Sequence, residues 1–88
     1  MKIKDGFLLR EVAGNQVVIP TGEAAVTFRG MMSLNGVAAF LWKKLETPTD
    51  RDALVDSLLQ EYDVERNRAF QDVDDFLKKL REQDFLEE

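Results

Sequence analysis

The chain contains no cysteine and no histidine among its 88 residues. It therefore forms no disulfide and lacks the two side chains that bind structural zinc most often. The usual base of a serine nucleophile is also missing, and Ser33 and Ser57 are the only serines. These absences argue against an enzyme, a metal site and a cofactor, and they fit a reducing cytoplasm.

Long apolar runs are missing as well. The longest, residues 37–42, is far shorter than the roughly 18 residues that a membrane helix needs, and the charged residues 1–5 precede no apolar stretch of a signal peptide. The formal net charge is −5, which disfavours nucleic acid because phosphate neutralisation supplies most of that affinity. We expect a cytoplasmic protein without a membrane or nucleic-acid partner.

The chain does show a change in the spacing of its apolar residues at positions 33–35. Before this point they form short β-branched runs, and after it they recur every three or four residues. This pattern predicts an α+β fold in which an N-terminal three-stranded antiparallel sheet precedes three α-helices. Eighty-eight residues support one core, so we predict a single domain over residues 1–88.

Turn residues divide the first part into three strands. Gly14-Asn15 links residues 7–13 to residues 16–20 in a tight hairpin, and Pro20 and Gly22 end the second strand. The third strand is predicted at about residues 25–29. In a sheet of three sequential strands, the first and third are edges, and an open edge accepts a strand from another chain.

Capping residues place the helices. Ser33 or Asn35 begins the first helix, which runs to about Leu45. Thr49 and Asp52 resemble a capping box before a second helix over about residues 50–61. The third helix covers about residues 65–83, and we expect residues 85–86 to fold back over the core.

Three carboxylates on the third helix, Asp72, Asp74 and Asp75, invite a metal or acid–base interpretation. They diverge on a helix and lack the glycine turn and spacing of a calcium loop. A solvated helix face explains them better.

Two helices after a small sheet also suggest a winged helix-turn-helix, whose third helix would read DNA in a transcriptional regulator. Acidic residues cancel the basic ones on that helix, which are Arg66, Arg68, Lys78, Lys79 and Arg81. DNA binding is therefore the weaker alternative, and a purely structural docking partner of an enzyme is a third.

Several segments together resemble the PqqD-like family over nearly the whole chain. They are residues 6–14, Phe28-Arg29-Gly30-Met31, Leu34-Asn35-Gly36, residues 38–42, Glu61-Tyr62-Asp63-Val64 and residues 72–80. The best known members are recognition elements for ribosomally made, post-translationally modified peptides. The resemblance implies a winged helix-turn-helix that binds the leader of a precursor peptide as a fourth strand, between the third strand and the third helix. It also implies a chaperone-like role without catalysis or cofactor, in which the leader is delivered to a modifying enzyme, often a radical-SAM enzyme.

The resemblance further implies the residues of the peptide site. The docking edge is Ala25, Val26, Thr27, Phe28, Arg29, Gly30 and Met31, and the helical wall is Asp72, Phe76 and Lys79. The opposite rim of the third helix, Phe70 and Leu77, is left open as an alternative wall. The oligomeric state also stays open between a monomer and a weak homodimer, since a free edge can pair with its own copy.

One departure from the family pattern lies at the end of the third helix. The family's terminal Gly-Leu-Leu is Asp84-Phe85-Leu86 here, so a different helix cap is expected. No residue links the chain to the precursor of pyrroloquinoline quinone rather than to another peptide.

Overall fold

The chain begins with strands and continues with helices, as its apolar spacing predicts. A computed structural model describes residues 1–22, residue 25 and residues 32–88. Its elements in chain order are β1 (Lys2–Ile3), β2 (Phe7–Val12), β3 (Asn15–Pro20), β4 (Met32–Leu34), α1 (Gly36–Leu45), α2 (Arg51–Glu61), α3 (Arg66–Glu82) and β5 (Leu86–Glu87). The three-stranded antiparallel sheet β2-β3-β4, followed by three helices, confirms the predicted α+β class. The layout fits a winged helix-turn-helix.

The hairpin turn lies one residue earlier than predicted. Val12 pairs with Asn15, so the two-residue turn is Ala13-Gly14 rather than Gly14-Asn15. Both turn residues have positive φ, 52° at Ala13 and 82° at Gly14, which matches a type I′ turn. The pairing register of β2 and β3 fixes the position of this turn. A shift of the pairing by one residue would move every core side chain of β3 to the opposite face of the sheet.

Among the described residues, the strand that pairs with β3 is Met32–Leu34. Of the third strand predicted at residues 25–29, only Ala25 is described, and residues 26–29 lie outside the described residues. Leu34 was expected to start the helical spacing, but it ends β4, buried on the face that carries Val18. Leu34 is the last residue of a short strand and lies two residues before a helix. Its burial fits the apolar spacing of either element, so the sequence pattern alone assigned it to the helix.

Ala25 does not begin a strand. It is helical, and its N–H donates to the carbonyl of Gly22 at 3.1 Å. Alanine has the highest intrinsic helix propensity, which favours this conformation at Ala25 over an extended one. The rest of the predicted docking edge, residues 26–31, lies outside the described residues.

The pairing register determines which strand residues face the helices. Leu9, Val18 and Met32 are cross-strand neighbours on one face, and all three pack in or against the core. The other face carries the exposed Leu8 and Val12, and also Val17, which is buried but is not part of the core cluster. The face of Leu9, Val18 and Met32 is therefore the one that packs against the helices.

The two ends of the chain pair with one another. β1 and β5 form a separate two-stranded antiparallel sheet, and Phe85, just before β5, is fully buried. Its ring lies 4.6 Å from that of Phe7 and 5.8 Å from that of Trp42, measured between centroids. The expectation that residues 85–86 cover the core is confirmed.

The end of α3 is capped in a common way by an uncommon residue. The N–H of Phe85 donates to the Leu80 carbonyl at 2.9 Å, and that of Asp84 donates to the Arg81 carbonyl at 3.1 Å. This pair of bonds is the Schellman motif, whose left-handed position is usually glycine. Asp84 occupies that position with φ 60°. Asp84 therefore occupies the left-handed position of the cap, where the family pattern has glycine.

The other helices begin at side-chain caps. Asn35 Oδ1 accepts a hydrogen bond from the Ala38 N–H, and Asp50 Oδ1 accepts one from the Ala53 N–H, each at 2.8 Å. Of the two predicted caps for α1, Asn35 is therefore the one used. The predicted capping box at Thr49 is wrong: the Thr49 N–H donates to the Met1 carbonyl at 2.9 Å, and the cap falls one residue later.

A single apolar core joins the sheet to all three helices. Its fully buried side chains include Val18 from β3, Trp42 from α1, Leu58 from α2 and Leu80 from α3. Within the described ranges, no helix is both long enough and apolar enough to cross a membrane.

Candidate functional site

A groove of about 320 Å³ lies between α1 and α3, and we call it the α1–α3 groove. Its lining residues come from the start of α1 and from one stripe of α3: Asn35, Val37, Ala38, Leu41, Arg68, Asp72, Asp75, Phe76 and Lys79. The cap of α1 positions the first group, because the Asn35 side chain that holds the first turn also lies in the groove wall. The groove thus combines an apolar floor with a charged rim.

The floor is formed by two helices. Val37, Ala38 and Leu41 follow one another at helical spacing on α1, and Phe76 faces them from α3. Leu41 and Phe76 are buried, whereas Val37 and Ala38 are half-buried. Such a floor offers apolar contact area to a ligand that enters from the open side.

The rim is a line of charges on α3. Arg68, Asp72, Asp75 and Lys79 recur at three- or four-residue spacing, which places them on one side of the helix. The Nε–H of Arg68 donates to Asp72 Oδ1 at 3.0 Å. Asp72 is the more enclosed of the pair, with 28% of its side chain exposed against 69% for Arg68. Within the part of the chain that the structure describes, Asp75 and Lys79 have no ion-pair partner.

An edge strand ends at the groove. Among the described strands, β4 has β3 as its single neighbour, so its other edge faces away from the sheet. Asn35, the residue after β4, is a lining residue of the groove. Unpaired backbone groups at a sheet edge accept an added strand. The end of β4 and the α1–α3 groove therefore adjoin.

The structure brings together three of the predicted site residues. Asp72, Phe76 and Lys79 all line the α1–α3 groove. Phe70, on the alternative rim, is instead covered by guanidinium groups of Arg51 and Arg66, at 4.5 Å and 5.8 Å from its ring centroid. The α1–α3 groove thus borders the Phe76 rim of α3, and the assignment of that rim as the peptide wall stays a prediction.

Of the other predicted site residues, Ala25 is exposed, helical and not among the lining residues. Residues 26–31 lie outside the described residues. Across the groove, the predicted wall on the third helix faces residues of α1, and the lining residue next to β4 is Asn35.

Sequence reasoning missed six lining residues. Two of them, Arg68 and Asp75, share the helical stripe of Asp72 and Lys79, so extending the wheel in both directions would have found them. Asn35 was predicted as a helix cap and not as a site residue. Val37, Ala38 and Leu41 carried no separate signal, because apolar residues on a central helix are expected in the core.

The remaining carboxylate of the acidic cluster has a structural role. Both terminal oxygens of Asp74 accept hydrogen bonds from Arg51 of α2, at 2.6 Å and 2.8 Å. These bonds lower the pKa of Asp74 from its ordinary value. Asp74 therefore points away from Asp72 and Asp75, which both line the groove, and it connects α2 to α3 on the other side of the helix.

Comparison with known proteins agrees with this architecture. The model of a family described as coenzyme PQQ synthesis protein D (PqqD) matches residues 16–86. A solved structure of TbiB1 in complex with the TbiA(beta) leader peptide superposes with a TM-score of 0.77, at 26% identity, over 99% of this chain and 95% of that one. A lasso peptide synthetase B1 complexed with the leader peptide has a TM-score of 0.71 and 20% identity, over 93% of this chain and 91% of that one. No curated protein matches the chain. Because the family model covers most of its length, the chain belongs to the PqqD family.

Proposed function

We propose that this chain is a non-catalytic module that binds the leader of a ribosomally made precursor peptide. The leader adds a strand to the open edge of the sheet, beside α3, and the module presents it to a modifying enzyme. The observation that carries the proposal is that the edge strand β4 ends directly at the α1–α3 groove. A peptide on that edge would gain main-chain hydrogen bonds, and its side chains would reach the groove.

The similar structures support the same function. TbiB1, at 26% identity, was solved with a leader peptide, and this chain shares its fold over nearly the full length of both. The predicted wall residues Asp72, Phe76 and Lys79 lie together in the groove. Residues 26–31 remain part of the proposed docking edge, now as the segment that leads into β4.

The chemistry of the chain favours recognition over catalysis. The sequence has no histidine or cysteine, and neither serine lines the groove. A groove without a nucleophile or a paired base is suited to holding a peptide. The modifying partner, for which we propose a radical-SAM enzyme, would act on the part of the precursor that extends beyond the groove. Both would work in the cytoplasm, where ribosomal precursors are made.

Peptide titration tests the proposal directly. Candidate leader peptides are added to the isotope-labelled protein, and amide shifts are recorded. We expect shifts at Met32–Leu34, at the start of α1 and along the Asp72–Lys79 stripe, with none for a scrambled peptide. Shifts confined to α2 or to the free edge of β2 would reject this site.

Two matched alanines supply a sharper control. Ala38 and Ala53 occupy equivalent positions, since each N–H is bonded to the cap of its own helix, but only Ala38 lines the groove. Ala38→Leu places a larger side chain in the floor, whereas Ala53→Leu places it on an exposed surface. Leucine is nearly as good a helix former as alanine, so both variants should fold. We expect Ala38→Leu to weaken leader binding by about tenfold, or 1.4 kcal/mol, and Ala53→Leu to leave it unchanged.

The alternatives make different predictions. A DNA-binding regulator would show salt-sensitive retardation of DNA, which the mixed charges of α3 do not favour. A purely structural partner would co-purify with the modifying enzyme and show no affinity for any leader.

A further inference from the structure

The charged rim of the α1–α3 groove contains one ion pair, and two further charges that form no ion pair with any residue the structure describes. Arg68 and Asp72 satisfy one another at 3.0 Å. Asp75 and Lys79 are both exposed, and neither forms an ion pair with any residue of the described ranges. A ligand in the groove therefore meets one available anion and one available cation.

The spacing of these two charges matches an extended peptide. Asp75 and Lys79 lie four residues apart on α3, which is about 6 Å along the helix axis. Alternate residues of a strand point to the same side and lie about 6.6 Å apart. One face of a strand that runs along α3 can therefore place two successive side chains against these two positions.

We infer that the α1–α3 groove selects peptides by charge: an acidic side chain opposite Lys79 and, two residues away, a basic side chain opposite Asp75. The inference rests on the proposed function, because it assumes that the occupant is a peptide strand. It goes further by naming the chemistry of that peptide. The apolar floor at Phe76 and Leu41 accepts a neighbouring apolar side chain and supplies affinity, while the two charges supply the selection.

Lys79 and Asp75 have suitable controls within the chain. Lys78 is also exposed on α3 but does not line the groove, so Lys78→Glu changes the net charge as much as Lys79→Glu does. Asp63 is an exposed carboxylate before α3 and outside the groove. It provides Asp63→Lys as the control for Asp75→Lys.

The probe is a random ten-residue peptide library displayed on phage and selected on the full chain. We expect wild-type selections to be enriched in an acid and a base separated by one residue. A synthetic peptide with that pattern should bind Lys79→Glu and Asp75→Lys about five- to tenfold more weakly than wild type. The Lys78→Glu and Asp63→Lys controls should stay within about twofold. A peptide in which the acidic residue is replaced by a basic one should bind Lys79→Glu about as well as the original peptide binds wild type. Such compensation in a double-mutant cycle indicates a direct pair.

The outcomes separate this inference from the proposed function. If the selection yields peptides that lack the charge pattern, or if Lys79→Glu and Lys78→Glu behave alike, the inference is wrong and peptide binding stands. If no library peptide is enriched and no candidate leader peptide binds, the charge-selection inference and the proposed function are both wrong. Rising salt should reduce the advantage of the patterned peptide, because the two charges are exposed.

Discussion

The helix cap at Asp84 gives the most direct test of how this chain terminates its longest helix. Asp84 adopts φ 60°, a left-handed conformation that costs an ordinary residue about 1–2 kcal/mol. Aspartate and asparagine tolerate it better because their short side chains bond locally, and a β-branched residue tolerates it least. Asp84→Val should therefore lower the free energy of unfolding by about 1–2 kcal/mol, which for a domain of this size lowers Tm by about 4–8 °C per kcal/mol.

Two further variants separate backbone strain from the loss of charge. Asp84 also accepts a hydrogen bond from Lys4 Nζ at 2.7 Å, but its side chain is 85% exposed, so this pair contributes little. Asp84→Asn removes the charge and keeps the tolerance for positive φ, and Asp84→Gly removes both the charge and the strain. Urea unfolding followed by Trp42 fluorescence should rank both well above Asp84→Val. If Asp84→Val is as stable as Asp84→Asn, the strain argument is wrong.

Three other variants test the packing, the capping and the ion pairs. Phe85→Ala should lower the free energy of unfolding by about 3–5 kcal/mol, because the Phe85 ring is fully buried against Phe7 and Trp42. The control is Glu87→Ala at a nearby exposed position. Equal losses of stability in the two variants would contradict the buried position of Phe85. Asn35→Ala should cost about 1 kcal/mol through loss of the bond to the Ala38 N–H, measured by urea unfolding, and an unchanged midpoint would show that the cap does not form. Arg51→Gln should raise the pKa of Asp74 toward its ordinary value in a carboxyl NMR titration, since hydrogen bonding to Arg51 lowers it. The pair stabilises the fold above the unfolded carboxyl pKa, and this contribution is lost as pH falls through the lower folded value, so the variant should show a flatter loss of stability in acid.

Local signals predicted the helices well because each signal lies within the element it describes. The apolar spacing placed α2 and α3 within one residue of their ends at both termini. Asn35 was one of the two caps predicted for α1 and is the one used. This could be predicted locally because its side chain bonds a backbone N–H only three residues away, that of Ala38. Local spacing gave the wrong assignment at residues 32–34, because this three-residue strand is followed almost directly by a helix and ends in the buried Leu34.

The candidate site was only partly accessible to such reasoning. The family resemblance supplied Asp72, Phe76 and Lys79, and all three line the α1–α3 groove. It could not supply the opposing wall, because Val37, Ala38 and Leu41 are indistinguishable in sequence from core residues. Which side of α1 is left uncovered depends on how α3 crosses it, and that crossing is set by packing distant in sequence.

The sequence by itself determined the class of this protein: a small sheet, three helices, one core, and no side chains for thiol, imidazole or disulfide chemistry. These properties follow from composition and from spacing over a few residues, where backbone geometry leaves few choices. Only the tertiary structure decided the register of the hairpin, the strand that forms the sheet's edge, and the rim of α3 that borders the groove. Each of these depends on contacts between residues far apart in the chain, whose energy no local pattern contains.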